Sequence, residues 1–141
     1  MPELPAVGDE RTSQGRTVTE ADLAIWGGLV HDFTPLHFDA HLMSESFFGR
    51  PIAHGYIAMN LSVGLFFPVH RAWLSPGTTT RSAGWEGVRF HHPVQTGDPL
   101  PCRRTITALD GDLVSHRVEM LNQTDEVVMS GIEHLELGQV E

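Results

Sequence analysis

The densest run of side chains able to move protons is His31-Asp32-Phe33-Thr34-Pro35-Leu36-His37-Phe38-Asp39. Asp32 and His37 stand five residues apart across a turn stiffened by Pro35, so their side chains can converge. A carboxylate and an imidazole that face one water can hold it and shuttle its protons, and histidine suits this because it titrates near neutrality. Taken alone, the pair has a plainer reading in which Asp32 caps a turn and His37 is a satisfied surface histidine. Further on comes Arg50-Pro51-Ile52-Ala53-His54-Gly55-Tyr56, just ahead of a strongly apolar segment. The first amides of a helix have no internal acceptor and carry partial positive charge. Gly55 lets a ligand approach its N–H, which can bind a carbonyl oxygen as it gains negative charge. By itself, Gly55 can equally serve only to permit a tight turn.

These segments need elements to hold them. Thr19-Glu20-Ala21-Asp22 reads as a helix start, a hydroxyl cap with an acid three residues on. Leu23, Trp26, Leu29 and Val30 then recur at helical spacing, Gly27-Gly28 allows close packing, and Pro35 stops the helix near Asp32. A second short helix is expected over Ala40 to Phe48, ended by Gly49-Arg50-Pro51. A third is expected from His54-Gly55 to Phe66 or Phe67, apolar on nearly every side and so buried all round. After a turn at Pro76-Gly77, four strands are expected: Ala83–Phe90, Leu100–Leu109, Leu113–Asn122 and Glu126–Leu137. The intervening breaks suit antiparallel order, and Asp110-Gly111-Asp112 suits a hairpin. Residues 1–17 read as a loose start or a short edge strand. Helices followed by antiparallel strands make an α+β domain, most simply one buried helix wrapped by one curved sheet.

Composition removes several function classes. The chain has 141 residues, nine arginines, no lysine, eighteen acidic residues and a net charge of -9. That balance argues against a nucleic-acid surface and against broad adsorption to anionic membranes. No apolar run reaches the roughly 18 residues of a membrane span. The single cysteine, Cys102, excludes an internal disulfide and reads as a small packed residue in a reducing compartment. Met1-Pro2-Glu3-Leu4-Pro5 lacks the features of a signal peptide, so the expected location is cytoplasmic.

Together, the motifs resemble the MaoC-like, or (R)-specific enoyl-CoA hydratase, branch of the hot-dog fold. The family pattern, roughly D-x-N-P-[L/I]-H-x-D followed by P-[I/V]-[A/V]-H-G, is matched by Asp32, Pro35, Leu36, His37 and Asp39, then Pro51-Ile52-Ala53-His54-Gly55. Val88-Arg89-Phe90-His91-His92-Pro93-Val94-Gln95-Thr96-Gly97-Asp98 resembles the family's R-F-x-x-P-V-x-x-G-D segment. The resemblance runs from about Val18 to Leu137 and implies one hot-dog domain over residues 1–141. It implies that Asp32 and His37 activate water and that the Gly55 amide is the oxyanion donor, with Thr34, His54 and Tyr56 as substrate-binding candidates. The implied reaction is hydration of a 2-enoyl thioester to an (R)-3-hydroxyacyl thioester, or the reverse, on an acyl-CoA or an acyl-carrier protein. No metal or other cofactor is implied, and a homodimer is expected because a curved sheet leaves edges that a second copy can close.

The rival readings are a 3-hydroxyacyl-carrier-protein dehydratase, a hot-dog thioesterase and a non-catalytic subunit of a heteromer. The resemblance breaks at two places. Thr34 replaces the usual Asn, and a serine found on the buried helix of some members falls here on Val63, with Ser62 about 100° away around the helix. Arg50, Arg71, Arg81 and Arg89 are candidates for local contact with coenzyme A. His37 and His41 have a metal-compatible spacing, but His37 precedes the expected helix. His91 and His92 are expected on a strand, pointing to opposite faces. Trp26, Trp73, Trp85, Phe47, Phe48, Phe66 and Phe67 are expected in the core or the acyl pocket.

Overall fold

The computed structural model describes residues 5–70 and 76–139. Arg71 and Trp73 lie outside them, as does the side chain of Phe67. Along the chain run β1 (Glu10–Thr12), β2 (Arg16–Thr17), α1 (Glu20–Val30), α2 (Pro35–Phe38), α3 (Ala40–Ser44), α4 (Gly55–His70), β3 (Thr78–Phe90), β4 (Pro99–Leu100), β5 (Cys102–Asp110), β6 (Leu113–Leu121) and β7 (Val127–Gln139). Five strands form an antiparallel sheet in the order β1-β5-β6-β7-β3, and β2 pairs with β4 beside it. Gly111, at φ 58°, makes the two-residue turn of the β5–β6 hairpin. Bulges in β3 between Ser82 and Gly84 and between Glu86 and Arg89 bend the sheet around α4.

Local chemistry sets the ends of α1. Thr19 accepts from the Asp22 amide while the Asp22 side chain accepts from the Thr19 amide, a complete capping box. His31 closes the helix in the left-handed region, at φ 59°. A methyl group at Gly27 would lie 2.8 Å from the Phe38 ring, so this glycine lets α2 press against α1. Leu23 and Gly27 face inward, whereas Leu29 and Val30 are exposed, so only part of the apolar spacing marks the buried face.

Three expectations change. The helix expected over Ala40 to Phe48 ends at Ser44, where the Ser46 hydroxyl takes the Met43 carbonyl and Gly49 turns at φ 71°. Phe47, expected inside, is 97% exposed. Helix α4 is not buried all round. Ile57, Ala58, Ser62 and Phe66 face the sheet, while Tyr56, Asn60, Val63 and Gly64 are exposed. The sheet covers one side of the helix only, so Tyr56 and Val63 remain outward beside Asn60. On the covered side, Ile57, Ala58, Val118, Met120, Val128 and Met129 belong to the main core.

Most of the sheet reading holds. On β6, Val114, His116, Val118 and Met120 face inward and Arg117 is exposed, although Ser115 is also buried. Cys102 is fully buried, and that burial pushes its thiol pKa up.

Candidate active site

Three neighbouring pieces of chain build the site. Asp32 follows the end of α1, His37 sits on the one-turn helix α2 that Pro35 begins, and His54-Gly55 opens α4. The connecting strand of chain is pinned on both sides, by the Ile52 amide on the Leu36 carbonyl at 3.1 Å and the Ala53 amide on the Val94 carbonyl at 2.7 Å.

His37 Nδ1 lies 2.7 Å from the Ile52 carbonyl. A carbonyl can only accept, so Nδ1 carries the hydrogen and the neutral ring leaves Nε2 bare. That Nε2 lies 3.7 Å from Asp32 Oδ2. The separation exceeds a direct hydrogen bond and suits one water oxygen held by both groups.

His54 lies behind this pair and is 3% exposed. Its ring stacks on His37 with centroids 3.7 Å apart and 25° between planes. Its Nε2 donates to the Asp32 carbonyl at 3.1 Å and lies 3.7 Å from Asp32 Oδ2. Burial holds the His54 pKa below its ordinary value, and His37 adds to that effect. His54 Nδ1 is buried without a hydrogen-bond partner.

Thr34 does what no sequence motif announced. Its hydroxyl donates to Asp32 Oδ1 at 2.6 Å and its amide to the same oxygen at 3.1 Å. These bonds, the hydroxyl's first, lower the Asp32 pKa below the usual carboxylate range. The side chain that replaces asparagine therefore holds the carboxylate that faces His37.

Asp32, His37, His54, Gly55 and Tyr56 line one cavity of about 450 Å³. Its walls are largely apolar, with Phe48, Ile52, Val94 and Val128 among them. Tyr56 is exposed and meets Phe90 edge-on at 5.7 Å, while the Phe90 ring covers the Cα side of Gly55. Sequence reasoning missed Phe90, His91 and His92 as lining residues. The two histidines were expected on opposite faces of a strand, but β3 ends at Phe90 and both backbone amides turn toward the Val128 carbonyl. His91 Nε2 is 2.8 Å from Ser130 Oγ. Ser62 does not line the cavity; its hydroxyl donates to the Met59 carbonyl on the buried side of α4. Val63 is exposed.

Asp32, His37 and His54 each present a potential ligand atom within 4.8 Å of the others. Histidines bind a metal through in-plane lone pairs that converge on it. Stacked rings direct those lone pairs side by side, and His54 Nε2 carries the hydrogen given to Asp32, so the arrangement fits water rather than an ion.

Comparison with known proteins decides the family. Residues 4–127 match the MaoC like domain family. The chain belongs to this family. It is 35% identical over 98 residues to Protein MaoC of Klebsiella aerogenes, covering 70% of this chain and 28% of that protein. It is 33% identical over 92 residues to an (R)-specific enoyl-CoA hydratase of Aeromonas caviae, covering 65% of this chain and 64% of that one. The chain thus spans less than two thirds of the length of either relative. A solved structure described as a monoamine oxidase regulatory protein from Archaeoglobus fulgius superposes with a TM-score of 0.83 at 26% identity, covering 96% of this chain and 93% of its own. The α+β hot-dog fold of the MaoC-like family is therefore the fold of this chain.

Proposed function

We propose that this MaoC-like chain adds water across the double bond of a 2-enoyl thioester, giving an (R)-3-hydroxyacyl thioester, and catalyses the reverse dehydration. The observation that carries this reading is Asp32 Oδ2 at 3.7 Å from His37 Nε2 in the same apolar cavity as the first amide of α4.

In hydration, a water held by Asp32 and His37 loses a proton to one of them as its oxygen bonds to the β-carbon. Electrons of the double bond move toward the thioester carbonyl, whose oxygen takes the Gly55 N–H. A proton then passes to the α-carbon, so the elements of one water are added and none is left over. Two neighbours keep the acid–base pair in register: Thr34 fixes the Asp32 carboxylate and Ile52 fixes the His37 tautomer. The apolar walls suit an acyl chain.

The working unit of this proposal is a homodimer. Strand β3 is thirteen residues long and lies at one edge of the sheet. Pairing with a second β3 would close that edge.

The test follows enoyl absorbance after mixing purified protein with crotonyl-CoA, with His37→Ala and Asp32→Asn alongside. Wild type is expected to consume the enoyl signal, and each variant to be slower by about 10²–10⁴-fold. Wild-type rates in both variants would remove the mechanism. Activity confined to a carrier-protein thioester would favour the dehydratase reading instead.

A further inference from the structure

In a chain with eighteen acidic residues, an arginine without a carboxylate beside it stands out. Arg16, Arg81, Arg103, Arg104 and Arg117 each lie within ion-pair distance of an aspartate or glutamate. Arg50 does not. Its Nε donates to the neutral amide oxygen of Gln95 at 2.7 Å. Gln95 is itself held at both ends, its Nε2 donating to the Phe48 carbonyl at 3.3 Å and its backbone amide to Asp98 Oδ2 at 2.9 Å. The Arg50 guanidinium is thus oriented without being neutralised, and its terminal nitrogens form a fork that fits two oxygens of one anion.

The place of Arg50 is equally specific. It is exposed, and it sits in the chain between Phe48 and Ile52, both of which line the cavity. Residues 51–54 form no helix or strand between it and Gly55. About fifteen backbone bonds separate the two Cα atoms, and a pantetheine arm has about thirteen bonds from sulfur to phosphorus. Five residues span at most about 18 Å, so the Arg50 backbone lies within that distance of Gly55, a reach comparable to that of an extended arm. The other sequence candidates fit less well: Arg81 is paired with Glu136, and Arg89, which also has no ion pair among the described residues, donates to the carbonyl of its own neighbour Val88 rather than to a side chain anchored elsewhere in the fold.

We propose that Arg50, oriented by Gln95, binds the phosphate of a 4′-phosphopantetheine arm, whether that arm belongs to coenzyme A or to a carrier protein. The proposal rests on the thioester reading above, and its test also has a readout independent of turnover.

Calorimetric titration of the intact protein with 4′-phosphopantetheine and with pantetheine isolates the phosphate. Wild type is expected to bind the phosphorylated probe about tenfold more tightly. Arg50→Met should abolish that preference and Gln95→Leu should weaken it, with circular dichroism melts reporting the fold of each. A preference kept in Arg50→Met would overturn the proposal, as would no preference, or no binding of either probe, in wild type. With thioesters, Arg50→Met is expected to raise KM alike for enoyl-CoA and enoyl-carrier protein, because the two share this phosphate. A rise for enoyl-CoA alone would place the contact at the nucleotide phosphates and overturn the assignment. Wild-type protein with an intact phosphate preference but no hydratase turnover would sink the hydratase reading and leave Arg50 in its role.

Discussion

The imidazoles of His37 and His54 stack at 3.7 Å between centroids, with 25° between their planes. Two protonated rings at that distance would repel, and His54 is the buried one. Its pKa in the folded chain lies below the ordinary value, first through burial. The native state therefore binds fewer protons there than the unfolded state, and stability rises with pH. This contribution is complete above the unfolded pKa of about 6.5 and is lost as pH falls through the folded value. Melting temperatures between pH 7.5 and 5.5 should fall more steeply for wild type than for His54→Asn. Equal slopes would show that His54 does not resist protonation.

Thr34 governs the other half of the pair. Its hydroxyl and amide both reach Asp32 Oδ1 and hold the carboxyl pKa down. Thr34→Val removes the hydroxyl bond, so the Asp32 pKa should rise and the acidic limb of kcat/KM should move to higher pH. Thr34→Ser keeps the donor and should restore the wild-type profile. The pH profiles of the two variants decide the matter, and an unmoved limb in Thr34→Val would deny Asp32 its place in that limb.

Gly55 is confined by Phe90 rather than by backbone strain. A methyl group at residue 55 would stand 3.0 Å from the Phe90 ring. Gly55→Ala should displace that ring from the cavity wall and lower kcat/KM by about tenfold or more, as small misplacements near reacting atoms do. Adding Phe90→Leu should recover part of the loss. A double variant no better than Gly55→Ala would mean that the methyl group harms the site by another route.

On the far side of α4, the guanidinium of Arg104 donates to Glu133 at 2.6 Å and to the Ser62 carbonyl at 3.2 Å, with both charged residues 1% exposed. It also lies 4.7 Å from the centre of the Phe66 ring. Arg104→Met leaves a buried carboxylate without its partner and should cost about 3–5 kcal/mol in denaturant unfolding. Replacing both members, as in Arg104→Met with Glu133→Leu, should recover most of that loss. If the double variant is as unstable as the single one, the pair holds α4 by hydrogen bonding and not by charge balance.

The parts of the fold legible in the sequence are those whose signal is local. Thr19 and Asp22 are three residues apart, so their capping box can be read directly, and it forms. Asp110-Gly111-Asp112 likewise contains its own turn chemistry. Strands β5, β6 and β7 lie within two residues of their expected bounds because alternation and turn residues need no distant partner, whereas β3 begins at Thr78 rather than Ala83, where pairing with the end of β7 extends it. The Asp32–His37 pair belongs here too, since five residues and one proline bring the two side chains near each other.

What the tertiary structure alone decided depends on residues far apart in the chain. Periodicity marked α4 as apolar but not which face the sheet would cover, so Tyr56 and Val63 came out exposed. His91 and His92 both turned to the cavity because β3 ends against Val128, thirty-six residues beyond the last of them. The Arg104–Glu133 pair joins two strands separated by a third, and Arg50 meets Gln95 across 45 positions. Spacing along the chain specifies local conformation, which needs only neighbours. Which charges are neutralised and which rings stack are set by packing between distant segments, and no short-range pattern encodes that.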